Sequence, residues 1–131
     1  ANAGTSPTPY FVKAITSPTG TVKATQTTYL QPYFSESTAG KLNDMLRSDV
    51  VNYYGDGKFS GLKMCGKTGT AEVSTGDNGL APHAWFVGYS QREDLPLAVV
   101  VVVENGGGGG SVAIPVASKT MKKAASIYAG K

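Results

Sequence analysis

Lys67, Thr68, Gly69 and Thr70 put a cation, two hydroxyls and a glycine in one run of four residues, a set suited to holding an anion. Two arrangements compete for it. Gly61, Gly66, Lys67 and Thr68 match the phosphate-loop spacing G-x-x-x-x-G-K-[ST], in which a buried strand enters a glycine turn and a helix follows, so that backbone amides converge on phosphate. Alternatively, Lys67 to Thr70 lies on an extended strand. A peptide then docks alongside, with Lys67 supplying charge and the Thr68 and Thr70 hydroxyls donating to a carboxylate.

The flanks favour the strand. Tyr54 Gly55 Asp56 Gly57 Lys58 Phe59 Ser60 is turn chemistry with no apolar run, so no strand ends before Gly61. The run Gly69 Thr70 Ala71 Glu72 Val73 Ser74 Thr75 Gly76 Asp77 Asn78 Gly79 then places glycines, Thr, Asp and Asn where the helix should be, residues of poor helix propensity. Leu62 to Val73 therefore reads as one strand, with Gly69 marking a place where another backbone approaches.

In the order of its segments, the chain resembles the C-terminal part of penicillin-binding protein transpeptidase domains. Cys65 Gly66 Lys67 Thr68 Gly69 Thr70 Ala71 Glu72 is followed by His83 Ala84 Trp85 Phe86 Val87 Gly88 Tyr89, then by a valine-rich run from Leu97 to Glu104, then by a closing helix. The opening Ala1 Asn2 Ala3 Gly4 with Pro9 Tyr10 Phe11 Val12 is similar to the family's passage from a long helix into a hairpin. The resemblance implies a serine-type D,D-transpeptidase. Such an enzyme acylates a serine with the D-Ala-D-Ala end of a peptidoglycan stem peptide, releases D-alanine and is trapped by β-lactams. It assigns Lys67 to electrostatic support of proton transfer, Thr68 and Thr70 to the ligand carboxylate, Gly69 to the docking strand, and the Thr70 amide to the oxyanion hole. No cofactor is implied, and the location implied is the outer side of a bacterial membrane, with an anchor in the parent protein. A non-catalytic β-lactam sensor shares the same motif, and a phosphate-loop nucleotide binder is the remaining alternative.

A serine acyltransferase of this kind also needs Ser-x-x-Lys opening a helix and Ser-x-Asn across the cleft. The one Ser-x-x-Lys is Ser60 Gly61 Leu62 Lys63, which enters a strand, where a three-residue offset sends the two side chains to opposite faces. No Ser-x-Asn occurs. The chain is accordingly expected to be a C-terminal portion carrying one wall of the cleft, inactive alone, with apolar surface that favours self-association.

The elements that must position the motif form an α+β arrangement, an antiparallel sheet with helices packed on it. Residues 1–34 are expected to hold a hairpin and connector, its strands Tyr10 to Ile15 and Thr21 to Thr25 joined by Ser17 Pro18 Thr19 Gly20. Residues 35–55 form a core helix, with Leu42, Met45, Leu46, Val50 and Tyr53 on one face and Gly55 as its cap. Residues 61–104 carry three antiparallel strands, Leu62 to Val73, His83 to Tyr89 and Leu97 to Glu104, linked by Asp77 Asn78 Gly79 and by Gln91 Arg92 Glu93 Asp94. The apolar Trp85 strand and the run Val99 to Val103 predict interior strands covered on both faces. Gly106 to Gly110 reads as a flexible linker. Residues 111–129 form a C-terminal helix capped by Ser111, with Ile114, Ala117, Met121, Ala125 and Tyr128 inward and Lys122 and Lys123 near its end.

Composition narrows the remaining classes. A net charge of +3, with no basic stripe interleaved with aromatics, gives no nucleic-acid footprint. No run approaches the roughly 18 apolar residues of a membrane span, and no charged-then-apolar leader opens the chain, so a soluble chain is expected. The single Cys65 forbids an internal disulfide and reads as a buried hydrophobe. His83 has no ligand-spaced partners, so no metal site is expected, and it more plausibly shapes the mouth of its strand.

Overall fold

The computed structural model describes residues 1–73 and 79–130. Two compact units are present, residues 1–41 and 42–131. In the first, β1 (Ala14–Ser17) and β2 (Gly20–Ala24) form a hairpin around the two-residue turn Pro18-Thr19. Gly20 takes φ +132°, a conformation that a side chain resists. The first strand begins later than expected: Tyr10 to Lys13 carries no ladder, though Thr25 reaches it with its amide on the Lys13 carbonyl at 2.9 Å and its hydroxyl on the Val12 carbonyl. The connector also returns along the chain's opening, because the Thr8 amide bonds the Thr28 carbonyl (2.8 Å) and the Leu30 amide bonds that of Ser6 (2.9 Å).

The helix α1 covers Glu36–Asp49. It is not the core helix that its periodicity predicts, for none of its residues is buried, and Leu42 and Met45 are exposed. At Val50 the chain changes pitch to a π turn, Val50–Gly55, and then a 3-10 turn, Asp56–Phe59. A π turn holds more residues per revolution than the α-helix. Val50 and Tyr54 face the core, and the wider turn swings Tyr53, three residues after Val50, out to solvent. Gly55, at φ +90°, ends the turn as expected of a cap.

The sheet has the order β3-β4-β5, from β3 (Met64–Ala71), β4 (His83–Ser90) and β5 (Ala98–Val103), antiparallel throughout. β3 starts after Lys63 because Gly61 and Lys63 take φ of 78° and 46°, left-handed values that no strand continues. Ser60 and Lys63 therefore lie in a turn, not on a strand. Neither opens a helix. Glu72 and Val73 are outside the ladder, and the Asp77 Asn78 part of the expected link falls outside the described residues. Only β4 is interior. β5 is an edge, and one sheet face carries exposed Trp85, Val87, Val100 and Val102, which the register aligns as Trp85↔Val102 and Val87↔Val100. Apolar composition on both sides of a strand predicted a second covering layer, but topology decides which strand ends the sheet.

The opposite face carries the core. Phe86, Ala84 and Val101 meet Val50, Phe59, Leu62, Met64 and Leu95 there, together with α2 (Ala113–Ala129) through Ala113, Ile114, Ala117 and Met121. Tyr128 and Ser111 depart from expectation. Tyr128 is exposed, and the Ser111 hydroxyl donates backward to the Gly108 carbonyl (3.1 Å), so Val112 begins the helix with no side-chain cap. No basic residue occupies the last turn of α2.

Candidate active-site edge

Lys67, Thr68, Gly69 and Thr70 form the outer half of β3. Met64, Cys65 and Gly66 are buried, whereas the strand opens from Lys67 onward, with Lys67 and Thr70 exposed and Thr68 and Gly69 half-buried. This is an uninterrupted strand, and among the described residues no helix begins between Met64 and Val112. The phosphate-loop reading is thereby overturned: the turn and helix that would gather amides onto phosphate are absent where Lys67 and Thr68 stand. What β3 presents instead is one side of its backbone. Among the described residues it pairs with β4 only, and the Thr68 amide points away from β4, to the Tyr54 hydroxyl at 3.4 Å. Alternate residues of a strand aim their amides the same way, so the Thr70 N–H faces the same open edge.

Tyr54 was not legible as a site residue. Its hydroxyl receives the Thr68 hydroxyl at 3.1 Å, the Thr68 amide at 3.4 Å and the Lys67 ammonium at 3.3 Å. The Lys67 Nζ also donates to the Thr68 carbonyl at 3.2 Å and lies 6.0 Å from the Tyr54 ring centre. Burial pulls the phenol's pKa upward, yet the Thr68 and Lys67 donors outweigh it and leave the group below its ordinary value. The signal in the sequence was Tyr54's position four residues after Val50, a same-face spacing that the helical pattern assigned to Tyr53 instead.

The phenol is held by an aromatic stack. Phe86 lies across a slot made by the register partners Gly66 and Gly88: a Cβ on Gly66 would come within 2.5 Å of the Phe86 ring, and one on Gly88 within 2.8 Å. Phe59 stacks on the far side of Phe86, with centroids 5.6 Å apart, and Tyr54 meets Phe86 edge-on at 6.4 Å. The glycines of Cys65-Gly66-Lys67 and Val87-Gly88-Tyr89 thus seat the ring that seats Tyr54.

A second support comes from the glycine run, which is not a linker. Gly109 is buried against the motif, and a Cβ there would lie 2.6 Å from both the Gly69 and Trp85 carbonyl oxygens. The Gly107 amide bonds the Pro82 carbonyl (2.8 Å), and the Gly109 carbonyl receives the first amides of α2, from Ala113 (3.0 Å) and Ile114 (3.1 Å). The run is glycine where backbone must touch backbone. His83 anchors its approach, since its Nδ1 accepts the Asn105 amide at 2.9 Å.

At the buried end of β3, Arg47 clasps the Asp56 carboxylate through two bonds of 2.6 and 3.0 Å and donates to the Met64 carbonyl at 2.9 Å. The Arg47 hydrogen bond holds the Asp56 carboxyl below its usual range. Cys65 is buried as expected, beside its register partner Tyr89, and both reach Asn43: the thiol at 3.5 Å and the phenol at 2.8 Å. Burial raises the thiol and, together with Cys65, pushes Tyr89 up to about 12.

Residues 1–122 match the family model described as the penicillin binding protein transpeptidase domain. A protein named Peptidoglycan D,D-transpeptidase PbpA from Mycolicibacterium smegmatis is 31% identical over 100 residues, 76% of this chain and 20% of that protein. Its namesake in Mycobacterium tuberculosis is 30% identical over the same length. The chain therefore spans about a fifth of the curated relatives it matches. Among solved structures, penicillin-binding protein A from M. tuberculosis as a ceftriaxone acyl-enzyme complex superposes with TM-score 0.78 at 27% identity, over 94% of this chain and 29% of that one. The D,D-transpeptidase domain of a peptidoglycan glycosyltransferase from Eggerthella lenta gives 0.74 at 31% identity, over 95% and 28%.

Proposed function

Since the chain belongs to the penicillin-binding protein transpeptidase domain family, we propose that it forms the Lys-Thr-Gly-Thr wall of a peptidoglycan D,D-transpeptidase cleft. The nucleophilic serine and its Ser-x-Asn partner come from a part of the protein outside these residues. The observation that carries the reading is the open edge of β3, with the Thr68 amide directed outward. A stem peptide ending in D-Ala-D-Ala, or a β-lactam, lies along that edge as an added strand. Its carboxylate takes the Thr68 and Thr70 hydroxyls. Lys67 supplies the positive field that favours proton transfer from the serine and back to the leaving D-alanine. The Thr70 N–H donates to the oxyanion as the carbonyl becomes tetrahedral. Acyl transfer to a neighbouring amine then closes the cross-link. This reading places the protein at the bacterial cell envelope, on the outer side of the membrane, with its anchor outside these residues.

Two measurements with a fluorescent penicillin test it. The full-length protein is expected to form an adduct that survives denaturation, and Lys67→Ala to slow that acylation by at least about a hundredfold, the lower end for a proton-transfer group. The 131-residue chain alone is expected to remain unlabelled. An undiminished rate in Lys67→Ala, or a labelled band from the isolated chain, overturns the assignment. The exposed sheet face of Trp85, Val87, Val100 and Val102 is expected to make the isolated chain self-associate. Light scattering from a strict monomer contradicts that expectation.

A further inference from the structure

Three donors converge on the Tyr54 oxygen, and one belongs to a cation: Lys67 Nζ at 3.3 Å, the Thr68 amide at 3.4 Å and the Thr68 hydroxyl at 3.1 Å. A neutral phenol is a poor match for such a set, which suits an anionic oxygen. The phenol is nonetheless firmly placed, because its ring is braced edge-on against Phe86, itself fixed between Phe59 and the Gly66/Gly88 slot. From this convergence we infer that Tyr54 is a gating residue of the carboxylate subsite, its oxygen standing where a ligand carboxylate oxygen must arrive. The inference rests on the proposed function and deepens it. Two oxygens cannot share one point, so ligand entry requires the phenol to yield the Thr68 and Lys67 donors. The apparent reactivity toward carboxylate ligands is then lowered by the fraction of molecules in which the subsite is closed. A carboxylate wins the exchange because its hydrogen bonds are charge-assisted.

The test is the second-order rate of acylation by benzylpenicillin in the full-length protein. Tyr54→Phe keeps the ring on Phe86 and deletes the competing oxygen. The rate is expected to rise about fivefold, the scale of one net hydrogen bond. Tyr54→Leu, a second variant without the hydroxyl, is expected to show the same rise. In a Thr68→Val background the gain from Tyr54→Phe is expected to shrink, because the two groups share one interaction. A rate unchanged or lowered in both Tyr54 variants overturns the gating role while leaving the Lys67 result intact, so the two readings fail separately. A gain fully preserved in Thr68→Val also overturns it. A full-length protein that benzylpenicillin does not acylate overturns both.

Discussion

At the residue scale the edge depends on positions whose chemistry is the absence of a side chain. Gly109→Ala places a methyl 2.6 Å from two strand carbonyls that cannot move independently, so the sheet and the start of α2 must separate. A loss of about 1–3 kcal/mol is expected, the range for overpacking a filled site, and denaturant titration measures it. Cys65 gives a contrasting expectation. Its thiol is buried and raised, so a maleimide is expected to label it only at the rate of local opening. Prompt labelling of the folded chain refutes that. That Lys67, Thr68, Gly69 and Thr70 share one open strand was legible, because the flanking residues offer neither the strand nor the helix of a phosphate loop and the candidate chemistry lies at one- and two-residue spacing. Tyr54 and Gly109 were not. Tyr54 neighbours Tyr53, and apolar periodicity did not say which of the two turns inward, while five consecutive glycines look the same whether they swing freely or press against a backbone.

At the element scale, alternation and β-branching located all three strands of the sheet, and the errors lie at their ends and in their surroundings. Lys63, at φ 46°, cuts β3 short of Leu62, a conformation that its side chain does not advertise. β5 was read as interior because valine fills both of its faces, but hydropathy does not say which strand lies last. Helix α1 carries apolar residues at helical spacing that the structure leaves exposed, since periodicity reports a face and not its partner. The clasp from Arg47 at the end of α1 to Asp56 makes a pH-dependent contribution. The Asp56 carboxyl is depressed in the folded state. Its stabilisation is therefore complete above the unfolded value near 3.8 and disappears as pH falls through the folded value. Both groups are partly exposed, so the effect is screened. Melting scans between pH 6 and about 2.5 are expected to show an acid loss that is shallower in Asp56→Asn. Parallel curves contradict the linkage.

Across the whole molecule, stability is unevenly distributed. Every buried core residue belongs to residues 42–131, and within residues 1–41 none of the described side chains is buried. The hairpin of the first unit is held by main-chain bonds and a few exposed side-chain bonds, such as Ser17 Oγ to the Gly20 carbonyl at 3.3 Å, with no buried apolar contact among its described side chains. Amides of β1 and β2 are therefore expected to exchange with solvent deuterium well before those of β4, which is covered by Phe59, Met64 and α2. Equal protection in the two regions refutes this asymmetry. Within the second unit the core depends on one ring: Phe86→Ala empties the slot between Phe59 and the two glycines, and a loss of about 3–5 kcal/mol is expected from calorimetry.

The chain's single tryptophan sits directly across from Gly69, on a surface that water partly reaches. That placement turns the indole into a native optical gauge for the docking edge. Under the proposed function, a peptide or β-lactam seated beside Gly69 is expected to change the polarity around the fluorophore, so its arrival at the isolated chain can be followed by indole emission without any dye attached to ligand or protein.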